Sequence, residues 1–438
     1  MKVALISLGC SKNLVDAEVM LGVLKKSGFS ITEDAECADI AVVNTCAFIQ
    51  DAKKEAINTI LEVAKLKQKG RLKRLIVAGC LPQRYKNELR ELLQEADAFL
   101  GPGSINKIAD IIKLSFKGKR PFLTAKPHFL SDRIQSRKFL TPKHYAYVKI
   151  ADGCDNRCSY CVIPQIRGSH HSRTIESIVK EVKMIVDKGG KEINLISQDT
   201  TFYGADLYGK PSLDKLLKRL VEFKNLTWIR ILYTHPRHYT DSLIDIIARE
   251  SKICKYVDLP IQHINDKILK SMKRKVSSAK IKRIIKKLRE KIPGVTLRTS
   301  LIVGFPGETE AVFKELYEFV RQTEFDRLGV FAYSREENTQ AAKMKDQVPE
   351  RIKKQRVKKI MRLQQRIIAK KNTALIGTVK DVLIDGTQDE DTVLGRTQAD
   401  APEVDGLVFI KGSGLKQGKL IKVKITDSFV YDLIGKKI

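Results

Sequence analysis

Three short, mostly apolar runs, each ending at a cysteine, constrain the fold of this chain more than any other feature. Residues 2–9 lead into Cys10, residues 38–45 into Cys46 and residues 74–79 into Cys80. Val- and Ile-rich runs without polar alternation, separated by helical patterns, predict parallel strands buried on both faces of an α/β sheet. Residues 15–26, with Gly28 behind them, and residues 51–69, stopped by Gly70, supply two intervening helices. Cysteines 36 and 34 residues apart, each just past a strand's carboxyl end, converge on the sheet edge where open α/β folds bind ligands. They make a candidate three-thiolate site, and the competing reading is three unrelated buried thiols. Cys37 and Cys254 lie elsewhere in the pattern and are assigned to packing.

From residue 117 to 143 the pattern dissolves into Pro121, Pro127, Pro142 and scattered charges, which reads as a linker. Six further strand-like runs come next, at 145–150, 192–197, 229–233, 256–259, 296–303 and 328–333, with amphipathic helical stretches such as 174–187 and 310–322 between them. Six β-α units predict a partial barrel of parallel strands, whose chemistry belongs at the strands' carboxyl ends. Directly after the first of these strands stand Cys154, Cys158 and Cys161, spaced C-x3-C-x2-C. Three thiolates can hold three irons of a cubane cluster and leave the fourth iron open to a small molecule. A structural zinc is the competing reading, with His170 or His171 as its fourth ligand. A disulfide scaffold fits less well, since eight cysteines are sparse in 438 residues and the first thirty lack a signal-peptide pattern.

Other residues expected at the barrel mouth are Gln198 and Asp199 after the second strand, Thr234 and His235 after the third, and Gln262 and His263 after the fourth. Gly304, Phe305, Pro306, Gly307 and Glu308 come after the fifth, on which Arg298 and Ser300 share one facing. Taken singly, each has loop polarity or a core hydrogen bond as its simpler role.

Charge adds a partner class. Residues 117–371 carry 55 Lys and Arg against 27 Asp and Glu, whereas residues 372–438 carry 9 against 10. The central region therefore faces a polyanion such as RNA or a ribosomal surface, although a basic excess can also be plain solvated surface. A run of cations at helical spacing between 351 and 370 bridges the barrel to the last module. From Gly377 onward, short alternating segments predict a small antiparallel barrel of the oligonucleotide-binding type. Its loops hold Asp385, Asp389, Glu390, Asp391, Asp400, Glu403 and Asp405, carboxylates that would repel phosphate and attract a basic protein. No apolar run reaches the roughly 18–20 residues of a membrane span, and the composition suits a soluble cytosolic protein of two to four domains.

The C-x3-C-x2-C run, with aromatic Tyr160 before its last cysteine, resembles the radical S-adenosylmethionine (SAM) signature. Joined to the upstream triad Cys10, Cys46 and Cys80 and a β-rich C-terminal module, it resembles the methylthiotransferases within that superfamily. Residues 8–16, 163–168 and 196–200 are similar to the branch that modifies ribosomal protein uS12, with the tRNA-modifying branches close in architecture. The resemblance covers essentially the whole chain. It implies an N-terminal domain at 1–116, a linker at 117–143, a radical SAM core at 144–371 and a TRAM domain at 372–438. It implies two 4Fe-4S clusters, one on each cysteine triad, and SAM as cofactor. SAM on the Cys154/Cys158/Cys161 cluster would yield a 5′-deoxyadenosyl radical that takes hydrogen from the β-carbon of a uS12 aspartate. The Cys10/Cys46/Cys80 cluster would deliver a sulfur methylated by a second SAM. By the same resemblance, Tyr160, Gln198, Arg298, Ser300, Gly304 and Phe305 are expected to contact SAM, Arg298 through the carboxylate and Gly304 and Phe305 around the adenine. Where the wider superfamily has Gly-Gly-Glu after the second strand, Ser197-Gln198-Asp199 stands here. The implied partners are uS12, free or on the small subunit, an electron donor such as flavodoxin or ferredoxin, and ribosomal RNA, with no membrane.

Overall fold

The computed structural model describes residues 1–125, 137–412 and 414–438. The first sheet is assembled from β1 (Lys2–Ser7), α1 (Ser11–Lys26), β2 (Ser30–Thr32), β3 (Ile40–Thr45), α2 (Gln50–Gln68), β4 (Arg74–Gly79), α3 (Cys80–Leu92), β5 (Ala98–Leu100), α4 (Ile108–Phe116) and β6 (Phe122–Leu123). Its strand order is β2-β1-β3-β4-β5-β6, with every pairing parallel. β3 is buried along its whole length, as expected of a strand with helices on both faces. The direction of strand order reverses between β1 and β3, which opens a crevice at their carboxyl ends. Cys10 and Cys46 come directly after those two strands, so both border that crevice.

α1 begins at Ser11 rather than at residue 15, because Cys10 takes the N-cap position and its carbonyl accepts from Leu14 N. The stretch read as a linker is also more structured than expected. Phe122 and Leu123 pair with β5 as the sixth strand, and Phe122 stacks on Phe99. Arg137 is buried against Glu18 of α1 and Glu181, and donates to the Tyr147 carbonyl at 2.7 Å. Residues 126–136 of the expected linker, with Pro127, lie outside the described residues.

The central region runs β7 (Tyr145–Lys149), β8 (Ala151–Asp152), α5 (Ile163–Arg167), β9 (His171–Ser172), α6 (Ile175–Asp187), β10 (Glu192–Ile196), α7 (Ala205–Tyr208), α8 (Leu213–Leu220), β11 (Trp228–Ile231), α9 (Asp241–Arg249), β12 (Tyr256–Asp258), α10 (Asp266–Ser271), α11 (Ser278–Lys291), β13 (Thr296–Val303), α12 (Glu310–Thr323) and β14 (Arg327–Ala332). Several helices start where a side chain caps the free amides. Thr174, Thr240, Asn265, Ser277 and Thr309 each accept from a first-turn N–H. The six long strands form two parallel three-stranded sheets, β7-β10-β11 and β12-β13-β14. Ile229 joins them, donating to Lys252 O (2.7 Å) and accepting from Cys254 N (3.0 Å). The result is the expected six-stranded partial barrel. β8 and β9 pair across the cysteine run and fix both ends of its loop.

α13 (Glu350–Thr373) leads to β15 (Val379–Thr387), β16 (Thr392–Arg396), β17 (Val408–Lys411), β18 (Leu420–Ser428) and β19 (Leu433–Lys437). These close into a barrel in the order β15-β16-β17-β19-β18. One pairing, β17 with β19, is parallel, so the barrel is not wholly antiparallel. No helix among the described residues is long and apolar enough to cross a membrane.

This small barrel plugs the central one. Tyr145, Tyr147, Trp228 and Tyr256 share a buried cluster with Leu383 and Ala401. Arg396 reaches Glu192 of β10 (2.9 Å), and Glu192 also takes Arg230 (2.9 Å). The plug corrects the reading of the acidic loops. Asp385 binds Arg396 and His144, Asp400 binds Arg327, Glu403 accepts from Tyr145, and Asp405 accepts from Tyr256. Four of the seven carboxylates therefore hold the chain to itself and do not face a basic partner. Apart from Arg396 on β16, their partners lie on strands of the central barrel or just before them, a pairing that no local pattern reveals.

Candidate active site

Both cysteine triads are set by strand ends. Cys10 caps α1 after β1, Cys46 stands just past β3, and Cys80 opens α3 after β4. The glycines before the first and last of these are obligatory for close approach. Gly9 (φ +88°) would bring a Cβ to 2.6 Å from Cys46 Cβ, and Gly79 (φ +95°) would bring one to 2.5 Å from Thr45 O. Asn13 of α1 links the three loops by donating to Leu8 O (3.1 Å) and Thr45 O (2.9 Å) and accepting from Cys80 Sγ (3.6 Å).

Arg167 lies at the end of α5, just past the second triad, yet it reaches the first. Its Nη2 donates to Asn13 Oδ1 (2.6 Å) and lies 3.5 Å from Cys80 Sγ. Its Nη1 donates to Asp16 (2.6 Å) and Asp152 (3.1 Å). Asp152 stands two residues before Cys154 and also takes Lys149 (2.9 Å) and Gln198 (2.6 Å). Tyr233, after β11, meets Ser11 through its hydroxyl (3.2 Å), while Lys12 sits over its ring. The first triad therefore opens onto the mouth of the central barrel, beside the second.

In the second triad every sulfur has a donor nearby. Asn156 Nδ2 is 3.5 Å from Cys154 Sγ, Arg274 Nη1 is 3.6 Å from Cys158 Sγ, and Ile163 N is 3.5 Å from Cys161 Sγ. Arg274 is held by the Pro260 carbonyl (2.6 Å), and Ser159 ties the loop to Ser271 O (2.7 Å). Burial pushes the Cys154 thiol up to about 11 and raises Cys161 further. In the first triad burial carries Cys80 to about 12 against the pull of Arg167, and it raises Cys46 with help from Cys10. Thiols that burial and mutual repulsion keep protonated are a donor set waiting for a cation, and metal binding would release those protons.

The spread of the sulfurs bears on which metal group fits. Among the described residues, the one trio of metal-ligating types with ligand atoms all within 4.8 Å of one another is Asp199, His235 and His238. A single zinc with bonds of about 2.3 Å draws its sulfurs within about 4 Å of each other, which neither triad does. A polynuclear iron–sulfur group spreads its thiolates further apart than a single zinc does. Of the two histidines weighed as a fourth ligand, His170 has its Nε2 on Ser172 Oγ (3.0 Å) and His171 its Nδ1 on the His170 carbonyl (2.7 Å).

The remaining expected residues divide into two groups. Gln198 is at the mouth, with its Oε1 buried and unpartnered, and Asp199 takes Asn156 (2.7 Å) and His238 (2.9 Å). Burial would raise the Asp199 carboxyl, but His238 and its other donors outweigh it and hold it well below the usual range. Tyr160 and Phe305 meet edge to face at 6.5 Å, in a buried cluster with Tyr333 and Met272 behind the cysteine loop. Gly304 N donates to Glu308 (2.9 Å), and Lys353 packs where its side chain would be. Ser300 is half-buried, its carbonyl accepting from Gln262 N.

Arg298 departs from expectation. Its guanidinium is already matched, by Asp258 (2.9 Å) and by Asp405 of the plugging barrel (3.6 Å), so it is not a free partner for a ligand carboxylate. Residues that sequence reasoning left without a role are Asn13, Asp152, Asn156, Arg167 and Arg274. The signal for the first four was their place within a few residues of a cysteine; Arg274 carries no such signal.

Comparison with known proteins agrees with this geometry. Residues 2–101 match the family described as uncharacterized protein family UPF0004, residues 148–320 the radical SAM superfamily and residues 376–438 the TRAM domain. The ribosomal protein uS12 methylthiotransferase RimO of Citrifermentans bemidjiense is 53% identical, over 99% of this chain and 98% of its own length. The protein of that name from Heliobacterium modesticaldum is 48% identical, over 100% and 95%. Among solved structures, the radical SAM methyltransferase TsrM of Kitasatospora setae superposes with a TM-score of 0.56 over 75% of this chain and 72% of that one, at 15% identity, a likeness of fold alone. The chain belongs to the radical SAM methylthiotransferases, in the family named ribosomal protein uS12 methylthiotransferase RimO.

Proposed function

We propose that this protein adds a methylthio group to the β-carbon of an aspartate of ribosomal protein uS12, in the cytoplasm, using SAM and reducing equivalents from a donor such as flavodoxin or ferredoxin. The observation that carries the reading is the bridge from Cys80 through Arg167 to Asp152, which brings two cysteine triads to one barrel mouth. Cys154, Cys158 and Cys161 would hold one 4Fe-4S cluster, and Cys10, Cys46 and Cys80 a second. The chemistry that the first cluster supplies is one-electron cleavage of SAM, which gives hydrogen abstraction from a carbon that no side-chain base can deprotonate.

The chain's own residues prepare both sites. Asn156, Arg274 and the Ile163 amide aim donors at the sulfurs of the radical-generating triad, and hydrogen bonds of that kind tune a cluster's potential. Arg167 offers positive charge to the other triad, where a transferable sulfur would sit. The Gln198 side chain places an unpaired acceptor at the mouth, suited to a cofactor ammonium. Mass spectrometry of uS12 peptides and of digested tRNA from a strain lacking the gene tests the reading. Loss of the methylthio mark from uS12 with tRNA unchanged is expected, and loss from tRNA alone overturns it.

A further inference from the structure

The outer face of α13 carries a row of cations that nothing in the described protein uses. Arg351, Lys354, Lys358, Arg362 and Arg366 succeed one another at spacings of three or four residues, which places them on one side of the helix. All five are exposed. None of their side chains has a hydrogen bond or ion pair among the described residues. The row extends about 22 Å, at 1.5 Å per residue.

The opposite face of the same helix shows what neutralisation looks like here. Lys353 is buried with Glu350 and the Tyr333 carbonyl (2.9 Å), and Arg356 is buried with Glu308 (2.8 Å). Ile360, Leu363, Ile367 and Ile368 pack on that side. Inward cations thus have acids, while the outward row has none, and Glu350 is the sole acid in all 24 residues of α13. A solvated surface ordinarily intersperses both signs, and an unrelieved row of like charge stores repulsion that a polyanion removes.

We propose that this face of α13 binds the phosphate backbone of RNA. Its cations stand about 5.6 Å apart on average along the axis, a period a sugar-phosphate chain can match one phosphate at a time. The row also has direction. Lys353 packs on Gly304 and Tyr333, at the carboxyl ends of β13 and β14, so its first turn borders the barrel mouth. Its last turn meets the small barrel, where Asn372 donates to Val430 O (3.0 Å). RNA lying on α13 would run between the mouth and the TRAM domain, along a surface that belongs to neither.

The test measures binding of a short fluorescein-labelled single-stranded RNA of mixed sequence by anisotropy across a salt series. The variants are R351Q/K354Q/K358Q/R362Q/R366Q and, as a charge-matched control, glutamine at the exposed Lys54, Lys65, Lys107, Lys113 and Lys119. Glutamine keeps helix propensity close to that of Lys and Arg, and far-UV circular dichroism checks the fold. The α13 variant should lower the slope of log K against log salt by about 3.5, at about 0.7 per phosphate contact, with the control changing it by less than about 1. Equal losses in both variants, or none in the α13 variant, would overturn the proposal. So would selective loss of polyglutamate binding with RNA binding intact, which would point to an acidic protein instead. The readout is RNA affinity, so its failure is distinct from failure of the methylthio-transfer reading.

Discussion

Arg167 carries more of the site than any other residue. It is fully buried, and its charge is shared by Asp16, Asp152, the Asn13 amide oxygen and Cys80. Truncation leaves Asp16 and Asp152 with Lys149 as their one cation, and removing one partner of a buried ionic set costs about 3–5 kcal/mol. Arg167→Ala should lower stability by that amount in urea unfolding. Arg167→Lys should recover only part of it, because an ammonium cannot address both sides of the bridge. A loss below about 1 kcal/mol for the alanine variant would mean that the bridge is not structural.

At the level of elements, the site is built from the loops at the carboxyl ends of the strands. Parallel strands of one sheet end at one edge, so three cysteines placed after three strands meet whatever the intervening helices contain. The C-x3-C-x2-C loop does locally what those three loops do across the sheet. On the proposed function the two triads would be separate ligand sets. Cys80→Ser and Cys154→Ser should each remove about half of the iron and acid-labile sulfide from anaerobically reconstituted protein, and the double substitution nearly all. Complete iron loss from either single variant would show a single shared centre.

At the scale of the molecule, the small barrel is a floor to the large one. Glu192 sits at zero exposure between Arg230 and Arg396, so it bonds two domains at once. Burial raises its carboxyl, but Arg396 and Arg230 outweigh this and hold it below its ordinary 4.5. A depressed carboxyl contributes stability that is complete above the unfolded value and declines as pH falls through the folded one. Glu192→Gln should therefore destabilise the protein at neutral pH, and the gap from wild type should narrow as pH drops below 4.5. Urea unfolding at a series of pH values measures that gap; a constant gap would remove Glu192 from the acid response.

The amino-acid sequence by itself determined the periodic parts of this protein. Apolar runs such as 40–43 and 75–78 read as doubly covered strands, and cysteines placed after those strands had to share an edge. The C-x3-C-x2-C run was readable because all three ligands lie on one loop. What only tertiary structure decided was the fate of long charged side chains. Arg167 reaching the other triad, Arg298 meeting Asp258 and Asp405, and four carboxylates of the small barrel turned inward all depend on contacts between residues distant in the chain. Backbone periodicity arises from local sterics and burial, whereas the partner of a buried charge is settled by which domains close over it. The same division explains α13: its spacing was legible, but that one face is neutralised and the other is bare became visible only once the helix was packed.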